Sequence, residues 1–226
     1  MLLTSTLTAF ALALPAMAAP QLTTRRTDSE LSLNAQLKLA YTANERYALL
    51  PDASDFIFDF TKGAVVATSE NWPALTGVGA SFSMGALPGC GMTFLHLHPR
   101  ATELFALHSG RVLSEMTPGI VDADGNQRII NVELTAGQAT LYPQGSYHTQ
   151  VNPDCEPANF TASFTNEEFA AGLVAGQLFS FSDGVIERSF GSSIEGEDIN
   201  KVRDAIPAAQ LIVVEECLAK CGREKR

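Results

Sequence analysis

Gly91-Met92-Thr93-Phe94-Leu95-His96-Leu97-His98-Pro99-Arg100-Ala101-Thr102-Glu103 and, further along, Gly137-x5-Pro143-x-Gly145-x2-His148-x3-Asn152 decide the reading of this chain. Together they hold three of its four histidines and one well-placed carboxylate. Imidazole and carboxylate are both available as ligands near neutral pH, and this set suits a divalent transition metal that keeps open positions for water or substrate. Alternate side chains of a β-strand share a face, so His96 and His98 are expected to point together into a barrel, with Phe94 beneath them. Pro99 then ends the strand, and the turn Arg100-Ala101-Thr102 brings Glu103 back to face the same interior. His148 supplies the third imidazole from a distant strand, aimed by the tight turn Pro143-Gln144-Gly145.

The neighbouring polar residues have plainer readings. His108 has the opposite parity to Glu103 on its strand and should face outward. Glu103 has an alternative role as a salt-bridge partner of Arg100. Asn152 reads as a residue that pins backbone, and Gly110, Gly137, Pro143 and Gly145 read as turn formers.

Outward from these motifs, short β runs alternate with turn residues: 56–60, 65–68, 79–84, 93–98, 104–107, 111–116, 127–134, 139–142, 147–151 and 159–164. Asp124-Gly125 is a hairpin signal between two of them. Many short strands with frequent turns indicate a mainly β chain, folded as an antiparallel sandwich or barrel over residues 55–182. Residues 19–54 form an N-terminal extension with a helix over 27–50, opened by Thr27-x-x-Glu30 in the manner of a capping box. Residues 183–226 read as helical, with Asp183 as a cap, one helix near 197–206, and another from Pro207 to Cys221 closed by Gly222 at C′.

The chain has 226 residues, 46% of them hydrophobic, which is enough for one domain with a sizeable core. Residues 1–18 resemble a signal peptide, an apolar run ending in Ala16-Met17-Ala18, and the protein is therefore expected to be secreted and extracellular. The run is too short to span a bilayer, so no membrane partner is expected. A formal charge of −10 without a basic stripe argues against nucleic acid.

Four cysteines in an exported chain suggest disulfides, which can pair in three ways. If the strands bearing His96 and His148 are antiparallel neighbours, opposed residues share an index sum of about 245, which Cys90 and Cys155 meet. The expected bridges are thus Cys90–Cys155 and, one helical turn apart, Cys217–Cys221.

The two motifs resemble the paired motifs of the cupin superfamily, and His96-x-His98-Pro99-Arg100-Ala101-Thr102-Glu103 resembles germins and germin-like proteins. The similarity extends over most of the mature chain to secreted germin-like proteins of the spherulin type. It implies a jelly-roll β-barrel with an N-terminal helix and C-terminal helices. It also implies Mn2+ held by His96, His98, Glu103 and His148, and homo-oligomers built through barrel faces and C-terminal helices. Two positions depart from the family pattern. Cys90 stands where the first motif usually has glycine, six residues before its first histidine. Thr93 stands where germins with oxalate oxidase activity carry an asparagine associated with holding oxalate, which makes Thr93 the candidate substrate-binding residue. A single motif pair also disfavours oxalate decarboxylation, whose cupins carry two.

Three functions compete on this basis. The first is a manganese-dependent oxidoreductase acting on superoxide or on a small carboxylate such as oxalate. The second is a metal-stabilised structural or binding protein of a spore coat or cell wall, without turnover. The third, a Lewis-acid hydrolase or isomerase, lacks a further acid or base in either motif. Other divalent transition metals fit the same donors. Asn159-Phe160-Thr161 is the only glycosylation sequon, making Asn159 a candidate glycan acceptor.

Overall fold

The structure is a computed structural model and describes residues 31–222, of which 32–222 form one compact unit. The expected signal peptide, the Thr27–Glu30 capping box and the basic tail 223–226 lie outside the described residues.

The N-terminal extension holds two short helices in place of one, α1 (Leu33–Leu39) and α2 (Ala43–Ala48). The break lies at a capping box that the sequence reading passed over. Thr42 Oγ1 accepts from Glu45 N, and Glu45 Oε2 accepts from the backbone of Thr42 and Tyr41, which starts a new helix there. Residues 56–60, expected as a strand, instead link two 3-10 turns, Ala53–Phe56 and Phe60–Lys62, through an irregular stretch at 57–59. Asp52, Asp55 and Asp59 accept local backbone N–H groups there, an alternative that competes with strand pairing.

The strands are β1 (Val66–Ala67), β2 (Ser81–Leu87), β3 (Gly91–Thr93), β4 (His96–Leu97), β5 (Glu103–Leu107) and β6 (Arg111–Thr117). After them come β7 (Ile130–Thr135), β8 (Ala139–Tyr142), β9 (Tyr147–Val151), β10 (Ala158–Phe164) and β11 (Gly172–Leu173). Helices α3 (Val174–Leu178), α4 (Asp183–Ser189) and α5 (Gly196–Ala205), strand β12 (Leu211–Val213) and helix α6 (Glu215–Lys220) complete the chain. Ser182, one residue before the expected Asp183, is the N-cap of α4. The expected helix from Pro207 to Cys221 is a loop over 207–210, strand β12 at Leu211–Val213 and a helix only from Glu215, because β12 finds an open edge on β3 and pairs Leu211 with Thr93.

Every strand pair is antiparallel, in two sheets forming a jelly-roll-like shell. One runs β1-β2-β10-β5-β8. In the other, β9 pairs with β4 and β3 along one edge and with β6 along the other, while β7, β11 and β12 extend the sheet. Between them lies an apolar core that includes Leu87, Phe105, Leu107, Val112, Tyr142 and Phe164. Phe179, Ile186 and Ile199 bind the C-terminal helices in a second, smaller cluster.

The disulfide pairing differs from expectation: the bridges are Cys90–Cys217 and Cys155–Cys221. The backbones do run side by side, with Cys90 N donating to Asp154 O at 2.9 Å. The residue packed on Cys155 is Gly89, where an added Cβ would lie 2.0 Å from the Cys155 carbonyl oxygen. Cys90 itself adopts φ +62°, the left-handed conformation usually left to glycine, and its side chain meets α6. The i, i+4 spacing of Cys217 and Cys221 therefore presents both sulfurs to the barrel edge. These bridges close long loops, of 127 and 66 residues, where a native disulfide contributes about 2–5 kcal/mol.

Candidate metal centre

His96, His98, Glu103 and His148 converge, each buried, with one ligand atom from each lying within 4.8 Å of the others. Parity explains the carboxylate. Glu103 opens β5 facing inward, flanked across the strands by Tyr142 of β8 and Phe164 of β10. His148 is opposite His96 in the ladder between β9 and β4. The two motifs are also tied directly, since Gly145 N donates to His98 O at 2.9 Å and Gln144 N to Thr102 Oγ1 at 3.1 Å. Gly145 holds φ +78°, which the tight turn before His148 requires.

The strand carrying the first motif is not continuous. Between Met92↔Val151 and His96↔His148 it spends one residue more than β9 does, a β-bulge at Phe94-Leu95. The bulge flips parity, so Thr93 rather than Phe94 shares the interior with His96 and His98, correcting the expectation that Phe94 lies beneath them. The Phe94 carbonyl instead accepts a hydrogen bond from His96 Nδ1 at 2.8 Å.

Each imidazole is oriented the same way. Nδ1 of His96, His98 and His148 lies 2.8, 2.7 and 2.9 Å from the carbonyls of Phe94, Ala170 and Ser146. A carbonyl only accepts, so each Nδ1 carries its proton and each neutral ring turns an Nε2 lone pair inward. Glu103 Oε2 sits 2.9 Å from His98 Nε2 and 3.1 Å from His148 Nε2. Lone pairs facing a carboxylate oxygen need positive charge among them, which a divalent cation supplies; the residues present therefore fit a metal ion. In the metal-free protein burial raises the Glu103 pKa, but hydrogen bonds donated by protonated Nε2 of His148 and His98 outweigh it and hold the group down to about 2; a bound cation would take the place of those protons. Burial, reinforced by His148 and His98, lowers His96 to about 4. At neutral pH, then, His96 is an unprotonated donor and Glu103 an anion.

Aromatic rings fix the ligands. Tyr142 stacks on His148, with centroids 4.1 Å apart, and Phe164 and Phe169 meet His98 edge-on. Burial raises the Tyr142 pKa, so its hydroxyl stays protonated. Beside the cluster opens a chamber of about 270 Å³, lined by His96, His98 and Glu103, by Thr93 and Gln150, and by Phe105, Phe160 and Phe164 among others.

The remaining candidates fall as follows. His108 is exposed on the outer face and bonds Thr161 Oγ1. Arg100 pairs with Glu168 at 2.8 Å, leaving Glu103 to the histidines. Asn152, fully buried, donates to the carbonyls of Leu87, Pro88 and Glu156. Asn159 is exposed and donates to Ser109 Oγ. Gln150 was missed by the sequence reading. It is 2% exposed, accepts from the Thr93 hydroxyl through Oε1, and bonds the Tyr142 hydroxyl. Its place two residues after His148 on the same strand face was the available signal.

A jelly-roll shell holding three histidines and a glutamate around its interior defines a cupin-type barrel with a candidate metal site. Residues 52–197 match the Cupin family, and the chain belongs to it. It is 33% identical to Spherulin-1A of Physarum polycephalum over 204 residues, covering 84% of this chain and 79% of that one. It is 30% identical to Germin-like protein 9-3 of Oryza sativa subsp. japonica over 132 residues, covering 57% and 58%. Among solved structures, an oxalate oxidase in complex with the substrate analogue glycolate shares the fold, with TM-score 0.58 and 19% identity over 69% of this chain and 84% of that one.

Proposed function

We propose that the protein is a secreted, manganese-binding germin-like cupin that acts as a metal-dependent oxidoreductase on superoxide or a small carboxylate. The observation that carries this reading is the convergence of three Nε2 lone pairs and one carboxylate at the wall of an internal chamber. Three imidazoles and a carboxylate leave roughly two positions of an octahedral ion free. When bound, such an ion supplies redox change and polarisation of an oxygen ligand. The chain's own part is to keep Nε2 of His96, His98 and His148 aimed and unprotonated, to keep Glu103 charged, and to surround the site with aromatic rings that limit water.

Export is supported by the apolar leader and by both disulfides. Among the described residues no helix is long and apolar enough to cross a membrane. Self-association is supported by the outer face of the β2-β10-β5-β8 sheet, where Met84, Leu104 and Leu141 are exposed.

A second reading, a metal-stabilised structural or binding protein, is favoured by one observation. The chamber contains no ionisable group other than the ligands themselves. Elemental analysis of natively secreted protein, followed on the same sample by superoxide and oxalate assays, separates the two. Stoichiometric manganese with turnover supports the first reading. Stoichiometric manganese with neither activity, and with no oxidation of a short monocarboxylate, supports the second.

A further inference from the structure

The chamber is not uniformly polar. Along β5 the inward side chains run from Glu103 to Phe105, and across the ladder Phe164 and Phe160 continue the same wall. Phe105 and Phe160 stack, with centroids 4.9 Å apart. Gly85 faces Phe160 from β2, and a Cβ there would lie 3.2 Å from the ring, so the glycine leaves the ring its seat. No lysine or arginine lines the chamber. Of its neutral polar residues, Gln210 is exposed, Ser83 Oγ donates to the Val65 carbonyl, and Thr93 and Gln150 are spent on each other: the Thr93 hydroxyl donates to Gln150 Oε1 and accepts from Gln150 N. The Gln150 side chain also bonds Tyr142. One end can therefore take a charged head at the ligand cluster, and the other offers aromatic carbon with no cationic side chain to pair a second carboxylate. At about 30 Å³ per water-sized group, 270 Å³ holds roughly nine such groups, enough for an ion and a ligand of several heavy atoms.

We propose that this chamber selects small monocarboxylates bearing a short apolar tail and rejects dicarboxylates of the same length. The inference rests on the metal reading above, since the head needs the cation held by His96, His98, Glu103 and His148. The tail lies against Phe105, Phe160 and Phe164, where each methylene removed from water favours binding about fourfold. A terminal carboxylate in that place would be buried unpaired, which is strongly unfavourable.

The test is calorimetric titration of the full mature chain reconstituted with Mn2+, with metal content measured first on the same sample. Acetate, propanoate, butanoate and succinate are the probes. The expected result is affinity rising about fourfold per methylene from acetate to butanoate, with succinate at least tenfold weaker than butanoate. Gly85→Ala, which crowds Phe160, should weaken butanoate while leaving acetate within twofold. Failure to take up metal overturns the metal reading and this inference with it. Full metal uptake with succinate equal to butanoate, or with no dependence on chain length, overturns this inference alone.

Discussion

The carbonyl oxygen of Ala170 lies 2.7 Å from His98 Nδ1, and Ala170 reaches that position in a left-handed backbone conformation, φ +49°. A non-glycine residue held there costs of order 1 kcal/mol, and the surroundings keep it because it fixes the ring of a ligand. Ala170→Gly should therefore raise stability by about 0.5–1 kcal/mol in urea unfolding and preserve metal content. Ala170→Val, whose β-branch resists positive φ, should lower stability by about 1–2 kcal/mol and weaken metal retention. Retained metal affinity in the valine variant would show that His98 needs no such pin.

Removal of the metal tests the donor set as a unit. Chelation with EDTA should lower the thermal midpoint, since a ligand bound only by the folded state stabilises it by mass action. His148→Ala should lose metal and thermal stability together, while His108→Ala, on the outer face, should change neither by more than about 0.5 kcal/mol. Equal metal loss in the two variants would refute the assignment of facing.

Much of this centre was legible in the sequence because strand parity is a local rule. His96, His98 and Glu103 could be placed on one interior from their spacing and Pro99 alone, and β8 and β9 have the bounds that alternation suggested. Non-local geometry was not legible. The bulge at Phe94-Leu95 exchanges Thr93 for Phe94 in the interior, and no local signal marks it. Strand β12 forms because β3 presents a free edge, which a reading of Leu211-Ile212-Val213 among helix formers does not reveal. The bridges went astray for the same reason: an index sum places backbones side by side, whereas a disulfide depends on Cβ directions, and Cys90 turns away at positive φ.

Acid should destabilise the EDTA-treated protein in a defined window. His96 has its folded pKa lowered to about 4 from 6.5, so the unfolded chain takes up a proton first as pH falls. The stability tied to neutral His96 is complete above pH 6.5 and is lost as pH drops from 6.5 towards 4, by about 3 kcal/mol in all. Glu103 adds a second loss between its ordinary 4.5 and about 2. Urea midpoints taken from pH 7.5 to 4 should fall for the wild type and stay flatter for His96→Gln. Parallel slopes in the two proteins would place the acid sensitivity elsewhere.

The disulfide pairing has a direct chemical readout. Trypsin cuts after Lys220, separating Cys217 from Cys221, and after Arg100 and Arg128, separating Cys90 from Cys155. Unreduced digests should yield the 204–220 peptide joined to the one bearing Cys90, and the peptide beginning at Cys221 joined to the one bearing Cys155. A joined pair of the 204–220 and Cys221 peptides would contradict the structure.

Cys90 combines two roles that substitution can separate. Its sulfur ties the barrel to α6, while its backbone occupies φ +62° between Gly89 and Gly91. With the bridge removed by Cys217→Ser, only the backbone requirement remains at position 90. Glycine satisfies that requirement freely and alanine does not, although glycine also gives the unfolded chain more freedom. The difference should leave Cys90→Gly/Cys217→Ser more stable than Cys90→Ala/Cys217→Ser by about 0.5–1 kcal/mol in urea. Both should remain below the oxidised wild type, because closing a loop of 127 residues contributes more than relief of one strained residue. If alanine matches glycine, residue 90 is not held left-handed once the bridge is gone, and the disulfide imposes that conformation on the barrel rather than exploiting it.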